Sequence, residues 1–562
     1  MSASKTFFFL FSLIVLWALI MGVAIITRPL LPVDETRYLA VAWEMWRDGN
    51  LLVPHLNGDI YSQKPPLMFW LMDLGWLTFG VNELWPRMVA PLFGLGTLFL
   101  TGSLARRLWP DDTAISTFAP FLLFGGLFWA FFATLTMFDT VLAFFVLLGL
   151  IGVLRARRGE RRGIALMGIG IGLGVLTKGP VVLLHILPAA LLAPLWGEKN
   201  GNGGMPLKKW YLGVLKGVGI GAAIGLAWAV PAAIGGGEAY ARAIFWGQSA
   251  GRMASSFAHA RPWWWYLAVL PGMVLPWVVW PTVWSGLWNR IRNGMLKDSG
   301  VVFCLAWFLP AFIIFSAFSG KQIHYLLPEL PALALLMAFG LTAKVDTLQE
   351  SLTETQAATP PETSASPRGL LIPGLFVSIL GTLVVALPVL PLGQKVAEAA
   401  AGIASFWGLL PLGLGLAAAW RPPKALSSRI LVLAGLTVVL VVAVHLSLRP
   451  LLAANYDLAP LAKRLAAWQT EGRPLANSGK YQGQFDFLGR LKKPIVIIGE
   501  KNAKAWAEAN PRGEVISYHD KLPVGLTPDY VQRYRGKYIA VWNAKTVIEH
   551  PYLALRRDQP LP

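Results

Sequence analysis

The sequence opens with two adjoining stretches that decide its architecture. Residues 6–26 read TFFFLFSLIVLWALIMGVAII, and residues 30–49 read LLPVDETRYLAVAWEMWRDG. The first stretch is apolar over about 20 residues, the length that an α-helix needs to cross a bilayer. It is too long for a signal peptide and has no small-residue cleavage site, so it predicts a membrane span. The second stretch predicts an amphipathic helix, with acids at its start, along the membrane surface.

The composition of the whole chain is that of a membrane protein. Of its 562 residues, 55% are hydrophobic and only 14% are charged. Soluble domains carry about 25% charged residues, so an ordinary cytosolic enzyme and a disordered chain are excluded. The net charge of +19 is explained first by basic cytoplasmic loops and second by an anionic substrate or lipid headgroup, so no nucleic-acid partner is expected.

Further apolar runs predict an α-helical polytopic membrane protein with about thirteen transmembrane helices. Basic residues recur after every second run, for example Arg106, Lys208 and Arg421. Because cytoplasmic loops are enriched in Lys and Arg, the N-terminus is predicted inside and the C-terminus outside. The predicted runs are 6–26, 84–104, 113–133, 137–154, 163–177, 180–196, 211–233, 263–284, 300–318, 325–343, 370–391, 402–420 and 429–448.

The polar segments divide the chain into two predicted domains. Residues 1–448 form the transmembrane domain, in which 27–83 is a large first outer loop with interfacial helices. Residues 344–369 are rich in Thr, Ser, Pro and Ala, which is typical of a flexible linker, here on the cytoplasmic side. Residues 449–562 have ordinary polarity and contain the strand-like stretches KPIVIIGE and KYIAVWNA, so they predict an outer α/β domain.

The first outer loop contains the first candidates for chemistry. Asp34 lies at the start of the predicted surface helix, where it either caps that helix or takes part in a site. Lys64 precedes two prolines in YSQKPPLMFW, residues 61–70. A lysine held at a helix start is a phosphate ligand in one interpretation and a snorkelling interface residue in the other. Glu83 and Arg87 are four residues apart, which favours a simple ion pair on a helix.

Later loops add polar residues that the predicted topology brings to the same outer face. Asp139 follows TLTMF at the start of a span, where an acid is costly unless it is paired or faces water. Two acids and several cations among aromatic walls predict a cavity for a phosphate with a lipid chain. The residues at this face are Asp34, Arg37, Lys64, Asp139, Lys178, Arg252, Lys321 and Tyr325.

These stretches resemble the C-type glycosyltransferases, which take sugars from polyprenyl phosphate donors. The matching stretches are VDETRY, QKPP, LTKGP and GKQIHYLLP, and the resemblance extends over the whole chain. Within these enzymes, the sequence is similar above all to the bacterial aminoarabinose transferase branch, which is related to the protein O-mannosyltransferases. The resemblance implies the C-type fold in the bacterial inner membrane, with the active site and the C-terminus in the periplasm.

The resemblance also implies roles for individual residues. Asp34 and Asp139 match the two family acids and are the candidate catalytic residues. The family's first-loop motif has Glu where this chain has Gln63, so no cofactor is predicted and a divalent metal is doubtful. The predicted substrate-binding residues, which would hold the carrier phosphate and the sugar, are Arg37, Lys64, Lys178, Arg252, Lys321 and Tyr325.

The implied reaction is an inverting transfer of 4-amino-4-deoxy-L-arabinose from undecaprenyl phosphate to a phosphate of lipid A. Asp34 would act as a base or would orient the acceptor, and the residues leave both roles open. The alternative in the same class transfers mannose or another sugar to a protein or another glycolipid. A lipid transporter is the third interpretation, although transporters place their polar residues near mid-membrane. Expected partners are therefore the lipid-linked donor, the acceptor and membrane lipids.

Overall fold

The structure, a computed structural model, describes residues 3–197, 206–247, 260–353, 369–390 and 400–554. Most of the chain is helical. The α-helices are α1 (Ala3–Thr27), α2 (Asp34–Asp48), α3 (Leu67–Phe79), α4 (Leu84–Leu108), α5 (Thr113–Phe124), α6 (Leu127–Phe132), α7 (Phe138–Arg157), α8 (Gly163–Lys178), α9 (Val182–Leu191), α10 (Ala193–Trp196), α11 (Leu207–Arg242), α12 (Trp265–Met273), α13 (Pro281–Arg292), α14 (Ser299–Ala317), α15 (Leu330–Thr353), α16 (Leu371–Ala386), α17 (Leu409–Trp420), α18 (Leu426–Tyr456), α19 (Ala459–Thr470), α20 (Asp486–Gly489), α21 (Ala503–Ala509) and α22 (Ala544–Glu549).

The helices confirm the predicted class, a multi-pass α-helical membrane protein. Within the described ranges, nine helical segments are long and apolar enough to cross a membrane, and three shorter apolar helices accompany them. Every predicted apolar run coincides with a helical segment. The number of thirteen spans itself stays a prediction, because several runs form short or broken helices.

Glycines set the packing of α7 against α8, and this packing positions the site. A Cβ on Gly170 would come within 2.6 Å of the Gly149 backbone, and one on Gly152 within 2.3 Å of the Met167 nitrogen. Small residues let helix backbones in a membrane approach closely. The two helices run antiparallel through a short connection, so the first turn of α7 meets the last turn of α8.

The predicted outer loop between α1 and α4 is compact and contains α2, a β-hairpin and α3. The hairpin pairs β1 (His55–Leu56) with β2 (Asp59–Ile60) in an antiparallel arrangement. Tyr38, Phe69 and Met72 are buried in a shared core with the start of α7. The amphipathic α2 therefore lies on the membrane domain through its apolar face.

The carboxyl-terminal part contains the predicted α/β unit, with a sheet of five strands. The strands are β3 (Leu475–Ser478), β4 (Val496–Ile498), β5 (Glu514–His519), β6 (Tyr530–Tyr534) and β7 (Lys537–Asn543). The strand order is β4-β3-β5-β7-β6, in which β3 is parallel to β4 and β5, and β7 is antiparallel to β5 and β6. Helix α19 covers one face of the sheet, and α21 with α22 covers the other.

The predicted linker differs from the structure at its first residues. Helix α15 continues to Thr353, so residues 344–353 are helical rather than a loop. Apolar residues of α15 are followed by DTLQE, which contains no helix breaker, so the helix continues beyond the core. Residues 354–368 of the predicted linker lie outside the described residues.

Candidate active site

The first acid, Asp34, is the first residue of α2 and does not cap it. The N-cap residue is Val33, and no side chain accepts a capping hydrogen bond there. Instead, Asp34 Oδ1 accepts hydrogen bonds from Arg37 Nη2 and, at 3.2 Å, from the Tyr38 hydroxyl. The Asp34 side chain is 49% exposed. Its carboxylate is thus oriented by two neighbours and still open to a reactant.

The next residue, Glu35, is the centre of a buried network that sequence reasoning left out of the site. Its carboxylate forms an ion pair with Arg28 and accepts hydrogen bonds from the backbone N–H groups of Leu31 and Thr136, at 2.9 Å and 2.8 Å. Burial raises the pKa of Glu35, but Arg28 and these hydrogen bonds together hold it below its ordinary value. This network joins the start of α2 to the segment before α7.

The network continues to the predicted Glu83–Arg87 ion pair. This pair is confirmed, with Arg87 Nη1 2.8 Å from Glu83 Oε1. Arg87 also donates to the carbonyl oxygen of Arg28, so it helps to hold the chain between α1 and α2. Its role here is therefore structural.

The second acid, Asp139, lies in the first turn of α7 and is almost fully buried. Lys178 Nζ lies 2.5 Å from Asp139 Oδ1, and His324 Nε2 lies 3.8 Å from Asp139 Oδ2. Gly179 follows Lys178 with φ of +78°, and this left-handed conformation lets the chain turn sharply after α8. A buried carboxylate is stable only with such partners, so the Asp139–Lys178 pair is built into the packing of α7 against α8.

Tyr325 and His324 bring a third element to this pair. Both lie on a 3-10 helix, Ile323–Glu329, that precedes α15. The Lys178 ammonium lies 4.5 Å from the centre of the Tyr325 ring. The His324 ring stacks on the Phe132 ring, with the two centroids 5.4 Å apart. The predicted Tyr325 is thus in the cluster, while His324 was missed as a site residue although it is part of GKQIHYLLP.

Phe138 connects the two acids. Its ring contacts Tyr38 edge-on, with centroids 4.9 Å apart, and Lys64 Nζ lies 5.9 Å from its centre. The ammonium groups of Lys64 and Lys178 both act electrostatically on Asp139. Tyr38 in turn bonds Asp34. Lys64 therefore lies beside Phe138 and near the Asp139–Lys178 pair, rather than at a remote interface.

The charges in this cluster favour a phosphate. Three cations, Arg37, Lys64 and Lys178, accompany two carboxylates, which leaves one net positive charge. The rings of Tyr38, Phe138 and Tyr325 lie beside the charged groups, so the arrangement suits an anion that carries an apolar chain. A preorganised lysine at such a place stabilises negative charge that grows on a leaving phosphate.

Two predicted residues are not placed in this cluster. Lys321 donates its ammonium hydrogens to the backbone carbonyl oxygens of Arg261 and Phe318, so it braces the loop before the 3-10 helix. Arg252 lies outside the described residues. Among the described residues, no group of three or more His, Cys, Asp and Glu side chains could hold a metal ion.

The chain is similar to known proteins in sequence and in fold. Residues 6–231 match the family model described as dolichyl-phosphate-mannose-protein mannosyltransferase. The chain resembles, with a TM-score of 0.73 and 20% identity, the crystal structure of ArnT from Cupriavidus metallidurans bound to undecaprenyl phosphate, over 96% of this chain and 98% of that one. The apo structure of the same protein gives a TM-score of 0.73 at 19% identity, over 97% of this chain and 99% of that one. The chain therefore has the fold of ArnT over almost its whole length, and residues 6–231 match the mannosyltransferase family model.

In sequence, the chain is also similar to proteins named for the transfer of 4-amino-4-deoxy-L-arabinose, as its motifs predicted. An undecaprenyl phosphate-alpha-4-amino-4-deoxy-L-arabinose arabinosyl transferase of Pseudomonas aeruginosa is 32% identical over 328 residues, 56% of each chain. One from Pseudomonas fluorescens is 31% identical over 54% of this chain and 52% of its own. The chain thus spans about half the length of the curated relatives that it matches.

Proposed function

We propose that this protein is a membrane glycosyltransferase that moves a sugar from a polyprenyl phosphate donor to an acceptor at the outer face of the bacterial inner membrane. The observation that carries the proposal is the Asp139–Lys178 pair beside Tyr325, joined through Phe138 to Lys64 and the Asp34 side. This cluster combines a candidate phosphate site with Asp34, the more exposed of the two acids. The similarity to proteins named for undecaprenyl phosphate and aminoarabinose supports the same donor class here.

The two acids differ in exposure, and this difference suggests separate roles. Asp139 is buried against Lys178 and fixes the ammonium that would face the donor phosphate. Asp34 is half exposed and is oriented by Arg37 and Tyr38. In direct displacement, the acceptor oxygen attacks the anomeric carbon as the bond to the carrier phosphate breaks, so the anomeric centre is inverted. Asp34 would take the proton of a hydroxyl acceptor or orient a phosphate acceptor.

The proposed sugar and acceptor are 4-amino-4-deoxy-L-arabinose and a phosphate of lipid A. A phosphate acceptor is already anionic, so Asp34 would then bind the amino group of the sugar or position the acceptor. Mannose transfer is the second candidate, because the family model matched over residues 6–231 is named for mannosyl transfer. A transporter is disfavoured, because both acids lie in the first turns of α2 and α7 rather than midway along a span.

Two experiments test this function. Lipid A from cells with and without the gene is compared by mass spectrometry, and aminoarabinose on its phosphates is expected only with the gene. The purified protein in liposomes is then given the undecaprenyl-phosphate sugar and lipid A, with Asp34→Asn as the inactive variant. Asp48→Asn, at the exposed far end of the same helix, is the matched control and should transfer at the wild-type rate. Transfer of mannose alone would favour the second candidate, and no transfer of either sugar would overturn the proposal.

A further inference from the structure

A loop of the α/β domain, residues 479–485, reaches the first acid of the membrane domain. The side-chain oxygen of Gln482 accepts a hydrogen bond of 3.2 Å from Arg37 Nη1. The other terminal nitrogen of the same guanidinium, Nη2, forms the ion pair with Asp34. Arg37 is therefore held by one partner from each domain, and its planar fork is oriented by both.

The loop is tied to the sheet behind it by a chain of hydrogen bonds. The Gln482 backbone N–H donates to Gln484 Oε1 at 3.0 Å, and Gln484 Nε2 donates to the Tyr518 hydroxyl at 2.8 Å. Tyr518 in turn donates to Asn477 Oδ1 at 3.0 Å, and Asn477 is fully buried on β3. The position of Gln482 is thus set by the core of the α/β domain.

Close contact with α2 leaves the loop little freedom. Gly483 has φ of +71°, and a Cβ there would come within 2.5 Å of Leu56 Cδ1 and 2.8 Å of the Ala40 Cβ. Only glycine combines this left-handed backbone with such an approach. The loop therefore lies directly on the helix that carries Asp34.

Contacts around the loop hold the two domains together. Trp76 of α3 stacks on Phe487 with centroids 5.3 Å apart. The Asn57 side chain exchanges two hydrogen bonds with the backbone of Ile495, at 2.9 Å and 2.7 Å. Trp43 Nε1 donates to the Leu491 carbonyl oxygen at 3.1 Å. These contacts join the same two domains as the Gln482–Arg37 bond, so this bond belongs to a docked interface.

We propose that the α/β domain is part of the catalytic unit, with Gln482 as a positioning residue that holds Arg37 and, through it, the carboxylate of Asp34. This inference rests on the proposed function. Asp34 is half exposed, and its carboxylate is oriented by Arg37 and Tyr38. Without Gln482, the guanidinium loses one of its two fixed points, so the Asp34 carboxylate is oriented only by the Tyr38 hydroxyl and by a more mobile guanidinium.

The test compares Gln482→Ala with Gln482→Glu in the liposome assay. Loss of a hydrogen bond to a charged group should lower kcat about tenfold, while KM for the lipid-linked donor should change less than kcat, because the Lys64 and Lys178 ammonium groups keep their positions. Gln482→Glu should restore activity, since its carboxylate still accepts from Arg37. Gln532→Ala is the control, because this glutamine of the same domain bonds the Asp457 carbonyl oxygen instead.

A second measurement does not depend on sugar transfer. Phenylglyoxal modifies accessible guanidinium groups, and mass spectrometry of the peptide that contains Arg37 gives the rate. We expect faster modification in Gln482→Ala than in wild type or Gln532→Ala. Equal rates, or unchanged kcat in Gln482→Ala, would overturn the positioning role even when the wild type transfers sugar. A wild type that transfers nothing but shows the modification difference would overturn the proposed function and leave the domain contact established.

Discussion

Replacement of Glu35 by alanine should destabilise the protein by about 3–5 kcal/mol, the usual result of removing one partner from a buried ion pair. The Glu35 and Arg28 side chains are only 3% and 2% exposed. In the variant, the Arg28 guanidinium keeps a hydrogen bond to the Thr134 carbonyl oxygen but loses its counter-charge. The N–H groups of Leu31 and Thr136 lose their acceptor as well.

The effect has a defined pH dependence. Because Arg28 and the hydrogen bonds outweigh burial, the pKa of Glu35 in the folded protein lies below its ordinary value of 4.5. The stabilisation by Glu35 is therefore present above about pH 4.5 and is lost as the pH falls through the lowered pKa. The difference between wild type and Glu35→Ala should be largest near neutral pH and should shrink in acid.

Unfolding by SDS in mixed micelles, followed by tryptophan fluorescence, measures the loss. Glu238→Ala is the matched control, because Arg242 and Glu238 form the same type of pair with side chains 75% and 78% exposed. Exposed pairs contribute little, so this variant should unfold like wild type. Combining Glu35→Ala with Arg28→Met should cost less than the sum of the single changes, since the double variant leaves no unpaired buried charge.

Transfer activity should fall with stability, because Glu35 joins the segment that carries Asp34 to the segment that precedes Asp139. If Glu35→Ala proves as stable as Glu238→Ala, the buried network does not hold these segments and the reasoning is wrong. If the single changes add without coupling, the two side chains do not form a pair in the folded protein.

Three other outcomes are expected. Lys64→Ala should abolish transfer in the liposome assay while leaving expression and membrane insertion intact, and normal activity would remove Lys64 from the phosphate site. Asp139→Asn should lower the transfer rate at least about tenfold, because Lys178 loses its charged partner. A KM for the donor that rises in the same variant would indicate that the Lys178 ammonium binds the donor phosphate. Burial raises the pKa of Asp486 to about 7, so this carboxyl makes the folded protein less stable as pH rises from about 4 to about 7. Asp486→Asn should remove that dependence in melts followed by tryptophan fluorescence at pH 5 and pH 8, and an unchanged slope would contradict it.

Much of the architecture could be predicted from the sequence, because the pattern of apolar residues acts locally. A run such as 6–26 has to satisfy its backbone hydrogen bonds within itself in a bilayer, so it forms a helix whatever its neighbours are. The strands around KPIVIIGE and KYIAVWNA and the helix after Tyr456 were likewise readable from short-range patterns. The strands Leu475–Ser478, Glu514–His519 and Tyr530–Tyr534 were not predicted, since short strands depend on partners distant in the chain.

The candidate site was predictable only in part. Asp34, Lys64, Asp139, Lys178 and Tyr325 stood out because charged and polar groups at span ends are costly without a use. Their roles stay predictions, as do those of Arg37, Lys321 and Arg252. Glu35 gave a weaker signal, because an acid next to Asp34 could equally be a solvated helix residue.

The sequence by itself determined that the chain crosses the membrane repeatedly, that its acids and cations lie at span ends, and that an α/β domain follows. The tertiary structure alone decided which of these groups meet. Asp139 meets Lys178 because glycines let α7 and α8 pack closely, and Gln482 meets Arg37 across 445 positions of sequence because the α/β domain docks on α2. Hydropathy is a property of each segment, whereas a pair of charges depends on how segments pack, and packing is shared among residues distant in the chain.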